Sequence, residues 1–148
     1  MVREGRLEDL AQVRDLIVEL AVFEREPNAV SNTLEMMERD GFGPNPKYGF
    51  FVAEHEEKIV GISLYYYRYS TWKGPCLYLE DLIVTEAQRG RGFGKALFER
   101  TLQFAKEEGL PYMSWQVLDW NQSAIDFYGR YGAEFDGEWV NCRVDVPK

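Results

Sequence analysis

Apolar residues in the first part of the chain recur at three- and four-residue steps. After Leu7 come Leu10, Val13, Leu16, Ile17, Leu20 and Ala21, with charged residues between them. That is the spacing of one buried helical face. It predicts an amphipathic helix running to about Phe23 or Glu24, broken by Glu24-Arg25-Glu26-Pro27-Asn28. Ser31 is placed to cap a second helix through Met36, Met37 and Arg39, stopped by Gly41 and Gly43. The pattern then shortens to strand-like runs. Tyr48 to Glu54, a polar turn at His55 to Lys58, and Ile59 to Tyr69 read as a hairpin. Ser70 to Pro75 is a further turn, and Cys76 to Val84 is the third strand of the meander. Helical spacing returns from Gly92 to Glu108, with Phe93, Ala96, Leu97, Leu102 and Ala105 on one side. Gly109-Leu110-Pro111 ends it. Tyr112 to Val117 reads as a strand and Gln122 to Tyr131 as a short helix stopped by Gly132. Two short strands are expected around Phe135 and from Trp139 to Val144, and Val2-Arg3 can form the stub of a first strand.

The order ααβββαβαβ predicts an α/β fold: a mixed central sheet flanked by helices in three layers. The 148 residues fit one domain, spanning 1–148, large enough for a proper core. The formal charge of −8 argues against a nucleic-acid partner, which calls for a basic face. An acidic balance suits cationic small molecules, although it also simply keeps a protein dissolved. Cys76 and Cys142 form no CxxC and have no histidine neighbours, so no metal is expected. They read as reduced thiols packed as small hydrophobes, consistent with a cytoplasmic location. The only histidine, His55, lies in a turn, which leaves little basis for a Ser-His or Cys-His nucleophile. No run is long enough to span a membrane, and no signal-peptide core is evident.

One stretch carries chemistry. Tyr78-Leu79-Glu80-Asp81-Leu82-Ile83-Val84 is a strand with two acids, followed by a turn and by Arg89-Gly90-Arg91-Gly92-Phe93-Gly94-Lys95 at a helix start. Glycines there let backbone N–H groups crowd round an anion, and the helix N-terminus adds partial positive charge. The spacing Arg-x-x-Gly-x-Gly matches neither a P-loop nor a dinucleotide fingerprint.

With these residues the chain resembles the GNAT superfamily of N-acetyltransferases over essentially its whole length. Within it the chain is similar to the diamine (spermidine/spermine) N-acetyltransferases. Asp40-Gly41-Phe42-Gly43, Val52-Ala53-Glu54, Tyr65-Tyr66-Tyr67, Tyr78-Leu79-Glu80-Asp81, the glycine loop, and Trp120-Asn121 with Phe127-Tyr128 carry the likeness. Tyr69 to Gly74 and Val117 to Gln122 resemble the thialysine N-epsilon-acetyltransferase branch. The polyamine branch has an Asp-Pro pair where this chain has Ser70-Thr71.

The resemblance implies an acyltransferase that moves acetyl from acetyl-CoA to a primary amine of a small diamine, polyamine or lysine-like amino acid. Such an amine has a pKa near 10, so about one molecule in a thousand is unprotonated at pH 7. A base is needed, and Glu80 is the candidate. Glu80 and Asp81 could instead be two strand-end carboxylates in solvent; both can line one cleft only if a bulge interrupts the strand. The resemblance makes Tyr128 the acid for the leaving thiolate, although a tyrosine beside Phe127 on a short helix could equally be core. It assigns the backbone of Leu82, Ile83 and Val84, together with Asn121, to the pantetheine arm. Arg89, Gly90, Arg91, Gly92, Phe93, Gly94 and Lys95 are assigned to the phosphates, without saying which cation touches them. Phe23, Glu24, Trp72, Glu80 and Asp81 are candidates for the amine, and Trp72 reads equally well as a turn residue covering the meander. Tyr65, Tyr67 and Tyr69 share one side of a strand and read as sheet packing or a dimer surface. A homodimer is also implied. Two other functions stay open: a non-catalytic acyl-CoA-binding regulatory module, and an acetyltransferase acting on a protein amine.

Overall fold

Three residues near the start of the chain, Val2–Glu4, form β1 and open a five-stranded sheet in the computed structural model, which describes residues 1–148. A single 3-10 turn at Leu7–Asp9 leads into α1 (Leu10–Phe23), followed by α2 (Leu34–Phe42). β2 (Gly49–His55), β3 (Lys58–Ser70) and β4 (Gly74–Val84) make the meander. A second 3-10 turn at Glu86–Gln88 then leads to α3 (Phe93–Glu107) and β5 (Met113–Ser114). The strands lie in the order β1-β2-β3-β4-β5, with antiparallel pairing except between β4 and β5. That last pair is parallel because α3 carries the chain back between them. These elements belong to one compact unit, Met1–Gln116; a second unit, Val117–Lys148, holds α4 (Gln122–Gly129).

Apolar side chains cover both faces of the sheet. Leu10, Val13 and Leu16 of α1 and Met37 of α2 pack with Phe50, Val52, Ile62, Leu64 and Ile83 on one face. On the other, Leu97 of α3 packs with Phe51, Ala53 and Val60, joined by Tyr65 and Phe104. The first unit is therefore a three-layer α/β/α arrangement, as expected. Helix α3 approaches the sheet over Gly61, where a Cβ would lie 2.9 Å from Leu97 Cδ1 and 3.0 Å from the Ile83 carbonyl. Beside it the buried hydroxyls of Thr101 and Ser63 lie 2.8 Å apart, and Thr101 Oγ1 donates to the Leu97 carbonyl at 2.7 Å. At the other end of the sheet Arg3 grips Asp9 through two hydrogen bonds of 2.8 and 2.9 Å and reaches Glu54 at 3.2 Å. Burial alone would push the Asp9 carboxyl up; the Arg3 guanidinium and the Arg6 N–H outweigh it and hold the group below the usual range.

The sheet departs from a regular ladder at two places. Ala53 pairs with Gly61 but Glu54 pairs with Ile59, so Val60 is an extra residue on β3. Leu64 pairs with Asp81 but Tyr65 pairs with Leu79, so Glu80 is an extra residue on β4. Both are β-bulges, in which one strand gains a residue and the alternation of faces changes phase.

Several boundaries differ from the expectation. Thr33, not Ser31, caps α2, accepting a hydrogen bond from the Met36 N–H at 3.1 Å. Gly41 lies inside α2, because Tyr48 packs where its side chain would be: a Cβ would sit 2.4 Å from the ring. β5 shortens to two residues, since only Leu77 and Tyr78 find partners in it. The two strands expected around Phe135 and from Trp139 to Val144 are absent. The alternation of Val140, Cys142, Val144 and Val146 suits a strand, but no strand of the sheet pairs with this stretch. Without a ladder to satisfy backbone N–H and C=O groups, a strand-like pattern has nothing to fold onto. Trp139 and Val144 accordingly stay 81% and 88% exposed. No helix is long and apolar enough to cross a membrane.

Candidate active site

The bulge at Glu80 decides which side chains meet. Before it, Tyr78 is paired with Tyr66; after it, Asp81 is paired with Leu64. Tyr66 and Leu64 are two apart on β3 and so point to the same face, the one that α1 covers. The phase change therefore puts Tyr78, Asp81 and Ile83 on one face, and Glu80 joins them: the Tyr66 hydroxyl donates to Glu80 Oε2 at 3.3 Å. The condition that lets Glu80 and Asp81 share a side is met.

A third carboxylate enters from the C-cap of α1. Glu24 is close enough to Glu80 and Asp81 for their charges to interact. Burial, then Glu80, raise the Glu24 carboxyl above its usual range. Burial, then Glu80, then Glu24, push Asp81 up to about 7. The two tyrosines respond in the same sense. Burial and then Glu80 push the Tyr66 hydroxyl up to about 12, and the same two causes raise Tyr78. Each shift has the same two causes, burial of the shifted group and neighbouring negative charge, and a bound cation would relieve the second; Asp81 is half-buried while Glu24 and Glu80 are exposed. These residues do not form a metal site; no group of three His, Cys, Asp or Glu is placed to hold a metal ion.

Beyond Tyr78, no strand of the sheet pairs with β4 on its β5 side. The backbone of Leu82 to Val84 thus includes an edge without a ladder partner, while the Ile83 side chain is buried in the core. The chain turns at Glu86–Gln88 into the glycine loop. Gly90 and Gly92 have φ of +79° and +86°, which L side chains resist, and a Cβ on either would meet nothing within 4 Å. Gly92 is also the N-cap of α3, with no side chain capping that helix. Open space beside bare backbone at an uncapped helix start is the geometry that suits an anion, and Arg91 and Lys95 are exposed nearby. Phe93 is engaged elsewhere, its ring 5.5 Å from that of His55, so its contribution to such a site is its backbone. Arg89 donates from Nε to the Val84 carbonyl at 2.9 Å and lies over the Phe23 ring.

Trp72 is not brought to the acidic group. It is 91% exposed in the turn between β3 and β4, and Gly74 to Glu80 spans about 20 Å of strand at roughly 3.3 Å per residue. In the second unit, Asn121 caps α4 by accepting the Ala124 N–H at 3.3 Å. Tyr128 is buried, its ring edge-on to Phe127 at 5.4 Å. Two residues escaped the sequence reading. Tyr66 entered only as part of the family likeness, and Glu19 only as one of the charged residues between the apolar positions of the first helix. The signal for Tyr66 was its parity with Tyr78 across the hairpin; for Glu19 it was its place one turn before Phe23.

The layered sheet, the bulged acidic strand and the glycine loop are the arrangement that the resemblance to an acyltransferase family implies. A family model for the acetyltransferase (GNAT) family matches residues 11–133, and the chain belongs to that family. A thialysine N-epsilon-acetyltransferase from Bos taurus is 37% identical over 142 residues, covering 90% of this chain and 84% of the relative. The thialysine N-epsilon-acetyltransferase of Caenorhabditis elegans is 37% identical over 117 residues, covering 79% and 72%. Among solved structures, an aminoglycoside acetyltransferase from an uncultured soil metagenomic sample superposes with a TM-score of 0.81 at 24% identity, covering 99% of this chain and 96% of that one. At that identity the likeness concerns the fold.

Proposed function

We propose that this chain transfers the acetyl group of acetyl-CoA to a primary amine of a small diamine, polyamine or lysine-like amino acid such as thialysine. The observation that carries the reading is the bulge that turns Glu80 and Asp81 to one side, with Glu24 beside them. Three neighbouring carboxylates, Asp81 half-buried and Glu24 and Glu80 exposed, suit a compact dication better than a neutral or anionic acceptor. The names of the relatives point the same way.

Acetyl-CoA, when bound, supplies an acetyl group on a thioester. Gly90, Gly92, Phe93 and Gly94 offer backbone N–H groups to its phosphates, with Arg91 and Lys95 adding charge. Leu82, Ile83 and Val84 offer strand backbone to the pantetheine arm, and Asn121 is assigned there by family pattern. The Glu80 carboxylate accepts the proton that the substrate ammonium must lose before it can attack, and Asp81 and Glu24 hold the far ammonium. The Tyr128 hydroxyl is the proton donor to the departing sulfur, again by family pattern. Asp81 offers a second reading of the base, because a carboxyl pushed up to about 7 is matched to proton transfer at neutral pH. A homodimer is proposed on resemblance alone.

The experiment is release of free thiol from acetyl-CoA with thialysine, lysine, putrescine and spermidine. Turnover with at least one is expected, and Tyr128→Phe should lower kcat about 100- to 10,000-fold, in the range of general acid catalysis. No turnover with any amine would overturn the reading. Turnover unaffected by Tyr128→Phe would remove that residue from it.

A further inference from the structure

We infer that Glu19 of α1 is a positioning residue for the phosphate-binding loop, and that Arg89 belongs to the same clasp and does not contact phosphate. The inference rests on the acetyl-CoA reading above. Glu19 Oε1 accepts the Thr85 hydroxyl at 2.8 Å, and Oε2 accepts the Glu86 N–H at 3.1 Å. The same Oε2 lies 3.8 Å from Arg89 Nη2. One carboxylate from a helix 66 residues earlier thus holds the start of the Glu86–Gln88 turn by two hydrogen bonds and lies within ion-pair range of Arg89, the residue that closes it.

Arg89 closes the clasp from the other side. Its Nε donates to the Val84 carbonyl at 2.9 Å, and its guanidinium lies 5.5 Å from the Phe23 ring centre. Glu19 and Phe23 are one helical turn apart on α1, so they present a carboxylate and a ring side by side to one guanidinium. A side chain committed to a carbonyl, a carboxylate and a ring face has its orientation fixed by α1 and β4. Arg91 and Lys95, by contrast, are exposed and make no ion pair within the chain.

The loop needs such an anchor. Gly90 and Gly92 gain freedom from lacking a side chain, and that freedom must be lost when the loop closes on an anion. Helix α3 holds the loop from its far end. The clasp holds it from the near end, so the glycines are presented already oriented. Pre-organisation of this kind appears as affinity for the ligand.

The test is CoA affinity by calorimetry on the full chain at several salt concentrations, with KM values for acetyl-CoA and amine measured in parallel. Glu19→Ala should weaken CoA binding and raise the KM for acetyl-CoA about tenfold, leaving the amine KM in place. It should not change the slope of log Kd against log salt. Arg91→Gln should flatten that slope, as loss of a phosphate contact does. Glu19→Gln, whose one oxygen can still accept from Thr85 while its NH₂ cannot accept the Glu86 N–H, should recover only part of the loss. Glu19→Ala with Arg89→Ala should weaken binding by less than the two effects multiplied. Wild-type affinity in a folded Glu19→Ala variant would overturn the inference alone, as would an Arg89→Ala variant that flattens the salt slope like Arg91→Gln. Absence of CoA binding by the wild-type protein would overturn the acetyl-CoA reading itself, and the inference with it.

Discussion

Replacing Asp81 by asparagine removes one carboxylate from a group of three and keeps the shape of the side chain. An aspartate in an unfolded chain titrates near 3.9. In the folded protein burial, Glu80 and Glu24 push Asp81 up to about 7. The folded state therefore binds this proton more tightly than the unfolded state does. Its stabilising effect is fully present below pH 4 and is lost as the pH rises from about 4 to about 7, after which the difference is constant. Three pH units at about 1.4 kcal/mol each set an upper limit of about 4 kcal/mol. Partial solvent access reduces this to roughly 1–3 kcal/mol. Urea unfolding of the wild type and Asp81→Asn at pH 5, 6, 7, 8 and 9 reads the effect directly. The variant should gain over the wild type as the pH rises to 7 and keep a fixed advantage above it. A stability difference that does not vary with pH would refute the argument, because burial and the neighbouring carboxylates would then leave the Asp81 carboxyl no harder to ionise in the folded protein than in the unfolded chain.

Three further outcomes follow from the same geometry. Glu80→Gln should slow turnover most near pH 7 and progressively less towards pH 9 to 10, where the amine sheds its own proton; an equal loss at both, in a pH–rate profile, would remove Glu80 as base. Arg3→Ala leaves the carboxylate of Asp9, itself 4% exposed, without its ion-pair partner. It should cost about 3 kcal/mol in denaturant unfolding. Gly92→Ala forces a side chain into φ +86° at a position that is otherwise open; a cost of about 1 kcal/mol in stability and weaker CoA binding are expected, by thermal unfolding and calorimetry.

What could be read from the chain was what depends on near neighbours. The period of α1 and the alternation of β2 and β3 are local; both strands fall within one residue of the expected bounds, and α1 ends where expected, its first turn being the 3-10 turn at Leu7–Asp9. The glycine loop was legible because positive φ selects glycine at Gly90 and Gly92. What depends on distant partners was not. Ser31 and Thr33 are equally good caps by chemistry, and the choice was not local. The 134–146 stretch carries a strand pattern that lacks a neighbour. Glu19 reaches Thr85 across 66 residues, a distance no spacing rule covers. The Glu80 bulge lay between these cases. Two adjacent acids in an apolar strand hinted at a phase change, but only the pairing of Leu64 with Asp81 and of Tyr65 with Leu79 shows where the extra residue sits.

That extra residue has an implication for how this sheet tolerates change. Leu79 and Asp81 are paired with consecutive residues of β3, so cutting Glu80 out would leave a continuous ladder with every other side chain on its present face. A deletion inside a strand normally turns the rest of that strand inside out; here the shortened strand would fall into step. The residue proposed to do the chemistry is thus the one position in β4 that the architecture can spare, and the fold and the reaction can drift independently of each other.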